Sequence, residues 1–595
     1  MPTSSVPDLL HGGPQRSWVR GWMREPLAWI VLANIVLHGV GLWWGLPSST
    51  GWDDDGVAPR DFLVGVVETF QRGSYYTYPP LHLFLLTALT VPVWVTALVR
   101  ARSLGAADLI AEFTKVPYMT AFSVVARTAS VAMAIGIVVA LYRLAEDLWS
   151  RRAGIWVALV VTSNIVLNYY AHTSNLDVPY LFWATLALAE AARAVVRGEP
   201  RRLRRVAVLA AFAICTKDQA YGLFVLAVPA VLLAWVAMGG PARPAVGAIV
   251  RESAVALVLA VALVLFIDGA LVNPLGFRAR VAFLTGTASQ DHAVYPANPA
   301  GWAAVARDTL RFFDRYYPWP FAVPCALGVA LAFWTPGRSR PASVALASLL
   351  PLAAAVSFTV TFNMSARRTE HRFLLPQMLM FGVYGGVGMA WLVRGWIGAR
   401  IARPVAVALL AWAMWRASAV DATLLFDPRY DAEAWMRAHI GPADSVETYG
   451  SDAYLPRFPP KVTVARVGPE PLSGRSAVPG IREVRAAYAD IEERRPRFIV
   501  LAEAWAWRYL DYEEFLHGIG MALAPEQVAR ERDVASRNYF HALVGGRLSY
   551  RVAHVSRYES SVMPAVDIHS STGKMLRIFE RIDGAESGAP AEGAP

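Results

Sequence analysis

PLAWIVLANIVLHGVGLWWGL, residues 26–46, is apolar apart from Asn34 and His38, and at about 1.5 Å per residue it is long enough to cross a bilayer. Shortly after it stand Trp52-Asp53-Asp54-Asp55, and further on Tyr76-Thr77-Tyr78-Pro79-Pro80-Leu81. Three consecutive carboxylates beside a membrane are costly to desolvate. They belong at the water-facing mouth of a cavity, where a base or a metal ligand can work. Three acids alone fit a solvated loop equally well, so the rest of the chain has to decide.

Composition sets the class. Hydrophobic residues make up 55% of the 595 residues and charged residues 17%, with a mean hydropathy of +0.36, which is the profile of a polytopic membrane protein. The formal charge of +10 does not point to nucleic acid. The arginines lie in short blocks between apolar segments, as topology determinants do, and no nucleic-acid-binding motif accompanies them. Cys215 and Cys325 both lie in apolar runs, so neither a disulfide framework nor a zinc site is expected. Arg16, Arg20 and Arg24 precede the first apolar segment, which has no small-residue cleavage site; residues 1–25 are expected to be cytoplasmic and the helix retained.

About twelve apolar segments of spanning or near-spanning length follow one another to residue 420. The basic connections Arg143 to Arg152, Arg197 to Arg205, Arg243 to Arg251, Arg338 to Arg340 and Arg394 to Arg403 are expected inside. The turns at Asp177 and Lys217, the loop from Asn273 to Pro318 and the stretch from Ser365 to His371 then face outside. This places Asp53 and Asp177 on one side only if the weakest segment, Pro79 to Val99, does not span. It opens with Pro79-Pro80 and contains Pro92, and reads as an interfacial or re-entrant helix within a first outer loop from 47 to 118. About eleven spans remain.

After residue 420 the character changes. Residues 421–583 are polar, with a helix pattern at Glu433 to Arg437 and strand patterns at Phe498 to Leu501 and Tyr550 to Val555, as in a small extracytoplasmic α/β domain. Residues 584–595 have the composition of a disordered tail.

Polar groups at the outer ends of the spans carry the functional reading. Asp177 precedes Pro179 at the start of a span, where a carboxylate also suits a helix N-terminus. Lys217 and Asp218 interrupt an apolar stretch and must pair, reach water or bind something charged. Arg127 near the end of its span can snorkel to headgroups or hold one phosphate. Arg367, Arg368 and Arg372 with His371 stand outside, against the positive-inside trend, which suggests a phosphate or diphosphate ligand. His292, in the outer loop with Asp291, is a metal-ligand candidate of the weakest kind.

These residues, in this order, resemble the polyprenyl-phosphate-dependent membrane glycosyltransferases of the GT-C fold, in the bacterial branch of protein O-mannosyltransferases and the aminoarabinose transferase of lipid A. The resemblance covers residues 26–420. It rests on Asp53-Asp54-Asp55 after the first span, Tyr78-Pro79-Pro80-Leu81, Arg127, Asp177, Thr216-Lys217 and Arg372-Phe373-Leu374-Leu375-Pro376. It departs from the family at the acids, where an Asp-Glu pair is usual and three aspartates followed by Gly56 stand here.

The resemblance implies inverting transfer of a sugar from a polyprenyl-phosphate donor to a lipid, glycan or protein acceptor on the outer face of an inner membrane. Asp55, Asp54 or Asp53 would act as base, the first two being favoured, and Asp177 would orient the acceptor or help hold a divalent ion. Arg127, Lys217, Arg372 and Arg368 would meet the donor phosphate. Metal dependence varies within the fold, and Asp55, Asp177 and His292 are the candidate ligands. No Gly-rich nucleotide loop is evident. A transporter or flippase of lipid-linked sugars is the main alternative, a lipid-linked glycan polymerase or ligase another, and a non-catalytic assembly protein a third.

Overall fold

Pro117 sits in the first turn of the helix Val116–Leu148, where its missing N–H costs nothing, and most of the 33 positions of that helix are apolar. Such a helix is about 50 Å long, more than the ~30 Å hydrocarbon core it has to cross. The computed structural model describes residues 25–238, 244–290, 293–334, 341–394, 399–472, 478–510, 534–569 and 572–582. Arg16, Arg20, Arg24, Asp291, His292, Arg338, Arg340 and the tail from 584 lie outside these residues.

Among the described residues six helices are long and apolar enough to cross a membrane, or up to nine if each of three sharply bent pairs forms one span. Val246–Ile267 shows what covers them. Only 11% of its most apolar stretch is buried, and Leu257, Val258 and Phe266 stand about two-thirds exposed (67%, 69% and 68%). A face of this kind is stable against lipid and not against water. The protein is a polytopic helical membrane protein carrying a small sheet domain.

Length and composition pass six to nine described helices beside the expected eleven or so spans, because several apolar runs form short, bent or charge-bearing helices. The first helix, Pro26–Gly39, has 14 residues. The chain then turns through Gly41 and Gly45, both at positive φ, so the apolar run to Leu46 is part helix and part loop. Residues 79–99 form two helices, Leu81–Leu89 and Val91–Arg100, bent by 59° at Thr90. Asp177–Arg197 carries Glu190, Arg193 and Arg197, and Leu203–Ile214 has only 12 residues.

The helix His371–Leu392 runs through the centre of the bundle, with 94% of its most apolar stretch buried. Its neighbour Ala322–Trp334 approaches to backbone contact. A Cβ on Gly388 would stand 2.0 Å from the Pro324 carbonyl oxygen, and one on Gly328 would stand 1.9 Å from that of Tyr384. Without a hydrophobic drive between helices in lipid, such close approach of small residues is a main source of attraction.

The C-terminal region forms one six-stranded sheet: β1 Ser445–Thr448, β2 Thr463–Gly468, β3 Ile481–Arg485, β4 Phe498–Ala502, β5 Tyr550–Ser556 and β6 Leu576–Arg581. The spatial order is β3-β2-β1-β4-β6-β5. The first four strands are parallel, and β6 is antiparallel to both β4 and β5. β4 is buried along its whole length, as a parallel strand covered on both faces must be. Ala432 and Met436 of the helix Pro428–His439 cover one face. Tyr449, Tyr488, Trp505, Tyr539 and Phe540 cover the other. The strands expected at 498–501 and 550–555 and the helix at 433–437 are present within these elements. The helix Ala399–Leu425 runs past residue 421, and the helix Pro428–His439 follows it.

Because the Pro324 carbonyl leaves no room, Gly388→Val is expected to destabilise the bundle by about 3 kcal/mol or more. Gly39→Ala, with open space around it, is expected to be neutral; thermal unfolding in detergent compares the two.

Candidate functional site

After Gly39 the main chain leaves its helix, and the carbonyls of Leu42 and Trp44 have no helical partner. Arg127, 2% exposed, fills that need from the helix Val116–Leu148, donating from Nη1 to Leu42 O at 2.9 Å and Trp44 O at 2.6 Å. Trp44 and Trp52 meet edge-to-face, and the Arg429 guanidinium lies 4.0 Å from the Trp52 ring. Asp427 accepts from Trp44 Nε1 at 3.0 Å and pairs with Arg429. The approach to the acids is therefore clamped from both the membrane bundle and the C-terminal region.

Each of the three aspartates has a different setting. Asp53 Oδ2 accepts from the backbone N–H of Ser174 at 2.8 Å, and Ser174 Oγ in turn accepts from Ala58 N at 3.1 Å. Gly56 is needed there: a Cβ would stand 2.4 Å from Asp53 Oδ2. Burial pushes the Asp53 carboxyl up to about 6, against the opposing charge of Arg127 and the Ser174 hydrogen bond. Asp54 is exposed and makes no ion pair among the described residues. Partial desolvation raises its pKa too. Asp55 lies between two cations: Oδ1 is 2.6 Å from Arg372 Nη1 and Oδ2 is 3.3 Å from His569 Nε2. Burial would raise its pKa, but the His569 hydrogen bond and the Arg372 charge outweigh that and hold it well below the usual carboxylate range.

The turn pinned by Asp53 leads directly to Asp177, the first residue of its helix. The Asp177 carboxylate is fully buried, with both oxygens 2.8 Å from Lys217 Nζ and Oδ1 accepting from Gln219 Nε2 at 3.1 Å. Three cations surround one ring: Arg368, Arg372 and Lys217 lie 4.7, 5.0 and 5.9 Å from the centroid of Phe373. Arg368 and Arg372 share Glu370. Tyr78, from the stretch before Pro79-Pro80, is within electrostatic reach of Asp55, Arg372 and Asp177. Leu81 N donates to Cys215 O at 2.9 Å, which ties that stretch to the turn carrying Lys217. Both cysteines are buried and free.

A cavity of about 180 Å³ opens beside the acids, lined by Asp53, Asp54, Arg60 and Asp61 and, from the turn after β1, by Ser451 and Asp452. Arg60 and Asp452 pair across it at 2.9 Å.

Of the residues singled out from sequence, Asp55, Arg368 and Arg372 stand together, with Lys217 and Asp177 beside them through Phe373. Asp53 joins Asp177 through Ser174, and Asp54 faces the cavity. Arg127 is not in this group; its guanidinium is held by two carbonyls of the first loop. His292 lies outside the described residues. Asp55 and Asp177, the metal candidates among the described residues, are engaged otherwise. Both oxygens of Asp55 and of Asp177 already face cations, and among the described residues no group of three His, Cys, Asp or Glu side chains could hold one. Sequence reading missed His569, Ser174, Gln219 and Arg280. The last donates to Tyr76 O and Thr77 O at 2.9 and 2.6 Å and pairs with Asp218. Two arginines, Arg278 and Arg280, in an otherwise apolar outer helix were the only signal for Arg280, and nothing near His569 marked it.

No family model and no curated protein matches the chain. Solved structures similar to it include ArnT from Cupriavidus metallidurans in the apo state, 14% identical, with a TM-score of 0.45 over 95% of this chain and 99% of that one. The same protein bound to undecaprenyl phosphate gives 14%, 0.45, 97% and 100%. The oligosaccharyltransferase AglB from Archaeoglobus fulgidus, in complex with an inhibitory peptide and a dolichol-phosphate, gives 10%, 0.46, 95% and 89%.

Removing Arg127 strands the two carbonyls and takes from Asp53 its main opposing charge. Arg127→Met is expected to lower stability by about 3 kcal/mol, read as a fall in melting temperature of the detergent-purified protein.

Proposed function

We propose that the protein is a membrane glycosyltransferase that moves a sugar from a polyprenyl-phosphate donor to an acceptor hydroxyl at the outer face of the membrane. One observation carries this reading. Lys217 from one turn of the bundle and Arg368 and Arg372 from another gather round Phe373 beside an acid loop that opens to water. Cations so arranged suit a phosphate monoester, and the apolar bundle beside them suits its prenyl chain.

The chemistry follows from the settings of the acids. Asp55 is bound to two cations and is a weak base. Asp53 pins the loop to Ser174. Asp54 is exposed at the cavity, with a raised pKa, and is the residue we assign as base. The acceptor oxygen attacks the anomeric carbon while Asp54 takes its proton. The bond from that carbon to the phosphate oxygen breaks, and its electron pair leaves with the polyprenyl phosphate. Direct displacement of this kind inverts the anomeric configuration. Lys217, Arg368 and Arg372 stabilise the charge that develops on the leaving oxygen, and each is already held in place by a carboxylate before the donor arrives. The acceptor enters through the cavity between the first loop and the turn at Asp452. The acid loop and the sheet domain are assigned to the extracytoplasmic side of the inner membrane.

A transporter would draw on the bent helix pairs, since broken spans line many transport sites. The phosphate-binding cations favour the transferase, because they meet at helix ends and not along a path through the bundle.

Transfer of radiolabel from polyprenyl-phosphate sugars, in membranes containing the protein, tests the assignment. Asp54→Asn is expected to lower kcat by a hundredfold or more with the protein still inserted. Lys217→Met or Arg372→Met is expected to lower kcat/KM by a similar factor. The wild-type rate should fall on acidification through a pKa above the ordinary carboxylate value, because a raised base loses its free pair early. A rate flat down to about pH 4 would exclude a carboxylate base.

A further inference from the structure

Residues 557–569, which follow β5, leave the sheet domain and lie on the membrane bundle. Val566 N donates to Thr423 Oγ1 at 3.0 Å, on the helix Ala399–Leu425. Ile568, 6% exposed, is part of the main apolar core of the bundle. A cavity of about 200 Å³ runs beneath this strap, with Pro564, Val566 and Ile568 on one side and Arg315, His371 and Arg416 on the other. The strap delivers His569 to the acid loop. Its imidazole is stacked on Tyr169 with ring centroids 5.9 Å apart, and its Nε2 faces Asp55 Oδ2 at 3.3 Å. The His569 carbonyl accepts from Thr572 Oγ1 at 3.0 Å.

A solvated surface loop needs none of these anchors. A carboxylate held by Arg372 alone keeps one oxygen free to rotate or to take a proton. With the second oxygen on an imidazole that is itself packed against a ring, the Asp55 side chain has one orientation. The backbone that carries Asp54 is then fixed as well.

We infer that His569 is a positioning residue for the transfer reaction, supplied by the C-terminal region, which clasps Asp55 against Arg372 and so orders the acid loop that carries Asp54. This inference rests on the glycosyltransferase reading. The charged groups facing His569 are Asp53, Asp54 and Asp55 from the first loop and His371 and Arg372 from the helix His371–Leu392. Burial opposes the charged imidazole, but the Asp55 hydrogen bond and the three carboxylates outweigh it and raise the pKa of His569. The imidazolium in turn lowers the pKa of Asp53 and Asp54.

Two measurements test the inference together. In the transfer assay, His569→Gln is expected to lower kcat about tenfold or more, with KM for the donor within about threefold. Its acidic limb should move to higher pH, because Asp54 loses a neighbouring cation. His569→Lys should return the limb toward its wild-type position. An unmoved limb and unchanged kcat in His569→Gln would overturn the proposal. The second measurement does not depend on activity. Imidazole titration by NMR in labelled full-length protein, with the His569 signal identified by its loss in His569→Gln, should give a pKa above the ordinary histidine value that falls in Asp55→Asn. A titration indifferent to Asp55→Asn overturns the clasp even if sugar is transferred. Absence of transfer by the wild type alongside the expected titration overturns the glycosyltransferase reading and leaves the clasp standing.

Discussion

The ionised carboxylate of Asp55, held between Arg372 and His569 at 2.6 and 3.3 Å, is the contact on which the arrangement of this molecule turns. One cation belongs to the central helix of the bundle and the other to the strap of the sheet domain, so a single side chain joins the membrane region to the region after it. An unpartnered carboxylate at this depth would be expensive to keep charged. Asp55 and His569 have opposite linkage to pH. The pKa of Asp55 is depressed, so its stabilisation is present above the ordinary carboxylate value of about 4 and is lost as pH falls. The pKa of His569 is raised, so its stabilisation is complete below the ordinary histidine value of about 6.5 and is lost as pH rises through the raised one. The clasp is whole only between those limits.

The same logic runs through the rest of the site. Lys217 is held by Asp177, Arg368 by Glu370, and Arg127 by two carbonyls. Each buried charge has a partner that fixes its position, which is the condition for a site whose electrostatics need no rearrangement when the reaction occurs. The acids are correspondingly divided between fastening and chemistry. Asp53 fastens the first loop to the turn at Ser174, Asp177 fastens its helix to the turn carrying Lys217, Asp55 fastens the strap, and Asp54 is left facing water.

The sequence made the membrane class, the acid loop, Lys217 and the outer arginines legible, because each is a local violation of the apolar pattern around it. It also made β4 and β5 legible through their β-branched and aromatic runs. The short strands Ser445–Thr448 and Thr463–Gly468 carried no comparable pattern, being parallel strands whose partners lie far along the chain. The carbonyl partners of Arg127 were not legible, because its destination depends on where the first helix stops. That stop is set by the turn through Gly41 and Gly45 and not by hydropathy. The number of spans is not fixed by hydropathy alone, which registers an apolar run whether it is one helix or a helix and a loop. His569 was invisible for the plainest reason. It meets Asp55 across a sequence separation of 514 residues, and no local pattern encodes such a contact.

The central claim is that Lys217, Arg368 and Arg372 receive a lipid phosphate. A cryo-EM map of the purified protein in nanodiscs with added undecaprenyl phosphate tests it most directly. The account predicts headgroup density within hydrogen-bond reach of these three side chains at the ring of Phe373, with the prenyl chain running along the bundle. A headgroup bound elsewhere, with that cluster unchanged from the lipid-free map, would contradict it.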